Sequence, residues 1–122
     1  MQYKGFVFVN VTPHPIKFRS SDGSEFEVLP SGYLVNARAV EEIISNLLGI
    51  EFVSTKFQGD IEGTKIIQKI HESLPDKNIL IIGSIIAAQA YPGQVVAMTP
   101  APGFERVPIA EKIMNPDKFT VY

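Results

Sequence analysis

The sequence contains no cysteine, so it has no disulfide framework and no thiolate to act as nucleophile or metal ligand. Histidine is nearly absent too. The two present, His14 and His71, stand far apart, which argues against a zinc site. Arginine is scarce, at Arg19, Arg38 and Arg106, and no basic cluster occurs anywhere. With 11 Lys and Arg against 13 Asp and Glu, the formal net charge is −2. Binding to nucleic acid draws on concentrated positive charge and counterion release, so nucleic acid is excluded as an expected partner. No apolar run reaches the roughly 18 residues of a membrane-crossing helix. The opening Met1-Gln2-Tyr3-Lys4-Gly5 lacks the apolar core and small-residue cleavage site of a signal peptide. A cytoplasmic protein with no membrane partner and no cofactor is the expectation.

What is present fits one packed domain over residues 1–122. Hydrophobic residues are 45% of the chain and charged residues 20%. A chain of this length buries roughly two thirds of its unfolded surface in a single core. The expected fold class is α+β: a mixed sheet with an antiparallel N-terminal half and a strand-helix-strand C-terminal half, helices packed on the sheet.

The most informative stretch runs from Ile79 to Ala90. Ile79-Leu80-Ile81-Ile82 reads as a strand buried on both faces. Gly83-Ser84 breaks it, and an Ala-rich helix-forming segment follows to Tyr91. Such a join leaves a helix N-terminus, with unpaired N–H groups, at the sheet's carboxyl edge, a setting that suits a phosphate or carboxylate. Ser84 serves equally as a plain N-cap.

Elsewhere, Tyr3–Val11 reads as a strand with Phe6, Phe8 and Asn10 on one side and Val7, Val9 and Val11 on the other. Ile16–Arg19 and Glu25–Leu29 form a hairpin around Ser20-Ser21-Asp22-Gly23. Tyr33–Asn36 is a further expected strand. Val40, Ile43, Ile44, Leu47 and Leu48 follow the i, i+3, i+4 spacing of an amphipathic helix closed by Gly49, expected to pack on the Ile79–Ile82 strand. Ile50–Phe57 reads as a strand, and Ile66, Ile67, Ile70 and Leu74 as the stripe of a second helix ended by Pro75. Gln94–Met98, a helical turn over Ala110–Met114 and a strand over Phe119–Tyr122 complete the expectation.

Several words at the turns, taken in order, carry a likeness. They are Asn10-Val11-Thr12-Pro13-His14, Asp22-Gly23, Leu29-Pro30-Ser31-Gly32, Ala37-Arg38, the Ser54–Gly63 segment, and the aliphatic strand with its Ser and Ala-rich helix up to Pro100. Their sequence resembles a family of small uncharacterised proteins from bacteriophages and actinobacteria with an N-terminal Asn-Leu-Thr-Pro-His motif. Val11 replaces the usual leucine. The resemblance implies a phage or mobile-element origin and brings no activity with it.

The candidate ligand-binding residues are Asn10, Thr12, His14, Asn36, Arg38, Gly83, Ser84 and Arg106. His14, fixed between two prolines, is either a proton-transfer or ligand group or part of a turn satisfying a neighbouring carbonyl. Arg38 and Arg106 are the anion-reading candidates, because arginine offers a planar fork of donors. They are expected to share one pocket with Ser84, completed by a second subunit of a homo-oligomer. No nucleophile elbow is present, since Gly83-Ser84-Ile85-Ile86 lacks the second glycine. Neither a Walker nor a dinucleotide-binding word occurs. The leading expectation is a binding protein for a small anionic molecule such as a nucleotide or nucleotide-derived signal. The alternatives are an enzyme using His14, with Ser84 or Asn36 placing the substrate, and a protein-interaction module using the Thr99–Phe104 loop.

Overall fold

The computed structural model describes every residue except Asp76. Among the described residues the chain is mixed α and β and mostly strand. The N-terminal strands are β1 (Gln2–Tyr3), β2 (Phe6–Asn10), β3 (Ile16–Arg19) and β4 (Glu25–Val28). A long pair, β5 (Arg38–Leu47) and β6 (Ile50–Gln58), leads to helix α1 (Ile61–Ser73). Then come β7 (Asn78–Gly83), the short helix α2 (Ile85–Ala90), β8 (Val96–Pro100) and β9 (Met114–Thr120). No helix among the described residues is long and apolar enough to cross a membrane.

Seven strands share one sheet in the order β1-β2-β7-β8-β9-β3-β4. β7 is interior, parallel to β2 on one side and to β8 on the other. The pairs β1–β2, β8–β9 and β3–β4 are antiparallel, and β9 joins β3 in parallel. The sheet curls until its two edges meet. Tyr3 on the first strand lies 5.2 Å, ring to ring, from Phe26 on the last.

Alternation along β2, β7 and β8 divides the interior in two. Val9, Val11, Ile81 and Ala97 face α1 and α2, where Ile67, Ile70, Ala87 and Ala88 close the layer. Phe8, Ile82 and Val96 face inward across the curl, against Ile16, Phe18 and Val28. Phe18 stacks on Phe26 at 5.3 Å and meets Phe8 edge-on at 5.5 Å. These rings pack together inside the curl. The carboxyl ends of β2, β7 and β8 therefore share one edge of the sheet.

Three expectations are corrected. Residues 40–48 do not form a helix packed on β7. They belong to β5, a strand paired with β6 in a separate arm, and Ile43, Ile44, Leu47 and Leu48 are exposed. A bulge between Ile43 and Ser45 inserts one residue into the alternation, so a strand shows helix-like spacing. Leu48 and Gly49 have φ of 54° and 80°, which makes them the two-residue type I′ turn of a hairpin rather than a helix stop. Tyr33–Asn36 forms no strand. Val35 and Tyr33 instead anchor the segment by their side chains on the helix-facing core. The last strand begins at Met114 and ends at Thr120, replacing the C-terminal end of the expected helical turn.

Helix α1 starts earlier than its apolar stripe suggests, because Asp60 caps it. The Gly63 N–H donates to Asp60 Oδ1 at 2.7 Å.

Candidate functional site

At the shared carboxyl edge, β2 ends in Asn10, whose side chain is fully buried. Its Nδ2 donates to the His14 carbonyl at 2.7 Å and to the Val28 carbonyl at 3.2 Å. Its Oδ1 accepts from the Thr12 N–H at 2.9 Å and from Thr12 Oγ1 at 2.6 Å. Its own carbonyl takes the Ser31 N–H at 2.9 Å and the Ser31 hydroxyl at 2.7 Å. Both polar atoms of the Asn10 side chain, and its carbonyl, are used within the chain. This knot ties the strand end to the 12–15 turn and to the Pro30-Ser31 bend, and it holds His14 outward at the surface.

Gly83, at the end of β7, is also structural. A Cβ there would sit 2.8 Å from Val95 Cγ1 and 3.2 Å from the Ala87 methyl. Only glycine lets α2 lie this close to the sheet. Ser84 caps α2, its Oγ accepting from the Ala87 N–H at 3.0 Å. Since α2 spans six residues, a large terminal dipole is not available for an anion.

Ser84 nevertheless lines a cleft of about 350 Å³ together with Thr12, His14 and Lys17. Ile16, Met98, Ile109 and Met114 supply its apolar wall, and Lys112 enters from the segment before β9. No aspartate or glutamate lines it. Among the described residues, neither Lys17 nor Lys112 is in a salt bridge, and the ion pairs lie elsewhere, Lys4 with Asp117 and Arg19 with Glu25. No group of three histidine or carboxylate side chains among the described residues is placed to hold a metal.

The structure thus brings together four of the expected site residues, Asn10, Thr12, His14 and Ser84, with Gly83 beneath them. The others are elsewhere. Arg38 stands at the foot of the β5–β6 arm beside Asp60 and Glu62. Asn36 is at the same foot, its carbonyl accepting from the Tyr91 hydroxyl at 2.9 Å. Arg106 lies in an exposed turn. Neither arginine lines the Ser84 cleft, so the three-residue pocket is not assembled within one chain. The basic residues that line the cleft with Ser84 and His14 are Lys17 and Lys112. Lys17 was readable as the outward residue between inward Ile16 and Phe18, but nothing local links it to Ser84. Lys112 lies in the tail after Pro100, where no motif marks it.

Tyr91 organises the opposite end of α2. Its hydroxyl donates to the Asn36 carbonyl and accepts from the Asp60 N–H at 3.0 Å. Burial, with the Asp60 carboxylate adding a smaller push, raises its pKa above the ordinary 10.0. Residues 36 and 60 are the two feet of the arm, so one side chain holds both. A broad polar depression of about 560 Å³ beside it, over Asp60, Thr64 and Gln94, contains no cluster of like charge.

Comparison with protein-family models, with curated proteins and with solved structures finds no match to this chain.

Proposed function

We propose that the chain is a binding protein for a small anionic molecule, held in the cleft between the Thr12–Lys17 turn, Ser84 and Lys112. The observation that carries this reading is the cleft's charge. Its ionisable lining is His14, Lys17 and Lys112, with no carboxylate among them. Lysine ammonium groups suit phosphate or carboxylate oxygens as point charges. The apolar wall of Met98, Met114, Ile16 and Ile109 suits the body of such a ligand, since binding clefts join a few polar groups to a mainly apolar lining. A nucleotide or nucleotide-derived signal has both parts. The ligand is small rather than polymeric, because two lysines in one cleft on a chain of net charge −2 give no track for a phosphate backbone. His14 has no carboxylate beside it to orient the ring, which favours ligand contact over proton transfer.

Native mass spectrometry of freshly purified protein tests this, followed by calorimetric titration with the molecule found or, if none is retained, with a set of mononucleotides. Lys17→Ala and Lys112→Ala should each weaken binding about tenfold or more, as expected for a charge-assisted contact. Arg38→Ala and Arg106→Ala should leave it unchanged. Binding that survives removal of both lysines would sink the proposal.

A further inference from the structure

His14 is held through its backbone and not through its ring. Its carbonyl accepts from Asn10 Nδ2 at 2.7 Å and lies 3.0 Å from the Thr12 hydroxyl, and its N–H donates to Thr12 Oγ1 at 3.4 Å. Pro13 and Pro15 restrict the backbone on either side. Among the described residues no hydrogen bond or ion pair engages the imidazole nitrogens, and the side chain is exposed where it lines the cleft with Ser84. A ring on a fixed backbone with both nitrogens unused is set to meet a group from outside the chain.

Of the side-chain types in this lining, only imidazole ordinarily changes charge between about pH 5 and pH 8. The charged groups that share the cleft with it are Lys17, from β3, and Lys112, from the segment before β9. The cap of α2, β8 and β9 contribute Ser84, Met98 and Met114, which carry no charge, and no carboxylate lines the cleft. An anion seated between two ammonium groups is therefore the negative charge that the lining itself lacks, and it favours the imidazolium form. The converse follows from linkage: a proton on the ring favours the anion by the same factor.

We infer that capture of an anion in this cleft is coupled to protonation of His14, so that the protein holds its ligand more tightly in mildly acidic surroundings and releases it as pH rises. The inference rests on the anion-binding reading of the same cleft and adds its regulation. Because the ring is exposed, solvent screens the contact. The coupling is then about 0.5–1 pH unit, or about three- to tenfold in affinity. A phosphate monoester takes up a proton of its own in the same range, which would oppose the effect. Sulfate stays a dianion throughout and isolates the contribution of the protein.

The test is an NMR titration of the full chain with sodium sulfate at constant ionic strength, at about pH 5.5 and about pH 8. The Thr12 and Ser84 amides read affinity, and the His14 ring reads its own titration midpoint. His71, exposed on α1, is the internal reference. Sulfate should bind about three- to tenfold more tightly at the lower pH, and saturation should raise the His14 midpoint by about 0.5–1 unit while His71 stays put. His14→Gln should bind sulfate equally at both pH values, and His14→Lys, charged at both, should bind tightly at both. Wild-type affinity that is the same at the two pH values, with the cleft amides still responding, overturns the coupling and leaves the anion site standing. A pH dependence that survives in His14→Gln, or His14 and His71 midpoints that move together, also overturns it. Sulfate that shifts no cleft amide at either pH overturns the anion-binding reading and this inference together.

Discussion

Asn10 shows how one residue can satisfy an entire strand end. It supplies two donors and a doubly used acceptor to groups that β2, β4 and the 12–15 turn leave unpaired. Removing that amide takes one donor from the Val28 carbonyl and the acceptor from the Thr12 N–H, while the His14 carbonyl keeps the Thr12 hydroxyl at 3.0 Å; each buried group left unpaired costs about 1–3 kcal/mol. Asn10→Ala should therefore lower the unfolding free energy by about 3 kcal/mol in urea titration, with any ligand affinity of the remaining folded fraction little changed. A loss of binding at unaltered stability would show that Asn10 contacts ligand. Asp22 gives a pH dependence at the same scale. The Ser20 and Ser24 hydroxyls and the Ser24 N–H all donate to its carboxylate, holding its pKa down to about 2 from 3.8. A depressed carboxylate contributes stability that is complete above its unfolded pKa and is lost as pH falls through the folded one. The melting temperature should fall between about pH 4 and pH 2, and Asp22→Asn should flatten part of that slope. At this scale the sequence was informative about backbone roles. Turn chemistry at Asp22-Gly23 and capping at Ser84 were legible because they depend on neighbours in sequence. The cationic lining was not, because Lys17 and Lys112 meet Ser84 only through the curl of the sheet.

Elements were legible where one period dominates. The Ile79–Ile82 run could only be buried on both faces, and it became the interior of the sheet. Ile66, Ile67 and Ile70 follow α1. The arm misleads because a bulge adds one residue to a period of two, and five aliphatic side chains then repeat as on a helix. Gly49 is compatible with either reading, since a helix C′ position and a type I′ turn both need positive φ. The β-branched residues Val40, Ile43, Ile44, Ile50 and Val53 favour the strand, but their weight is modest. Leu48 offers a check on the turn. Leu48→Asn should relieve about 1 kcal/mol of left-handed strain. Amide exchange in residues 43–53 should slow by up to about fivefold. Unchanged or faster exchange would argue against the type I′ geometry.

At the scale of the whole molecule, two packed layers and one arm meet at Tyr91. Its ring fills the space that side chains at positions 59 and 63 would need. A Cβ at Gly63 would lie 1.8 Å from the Tyr91 hydroxyl, and one at Gly59 would lie 2.3 Å from the ring. Glycine inside a helix ordinarily concedes about 1 kcal/mol to alanine. Here Gly63→Ala should instead destabilise, by about 1–3 kcal/mol, because the ring is displaced from both feet of the arm. In a Tyr91→Ala background the same change should turn stabilising, and calorimetric melting of the four proteins reads that reversal directly. No local pattern marks this partnership, since Tyr91 is far in sequence from residues 59 and 63. Its consequence reaches past this one chain to descent. The three positions should drift as a set: a lineage that keeps tyrosine at 91 should be held to glycine at 59 and 63, and one that loses the ring should be released to place alanine in the helix.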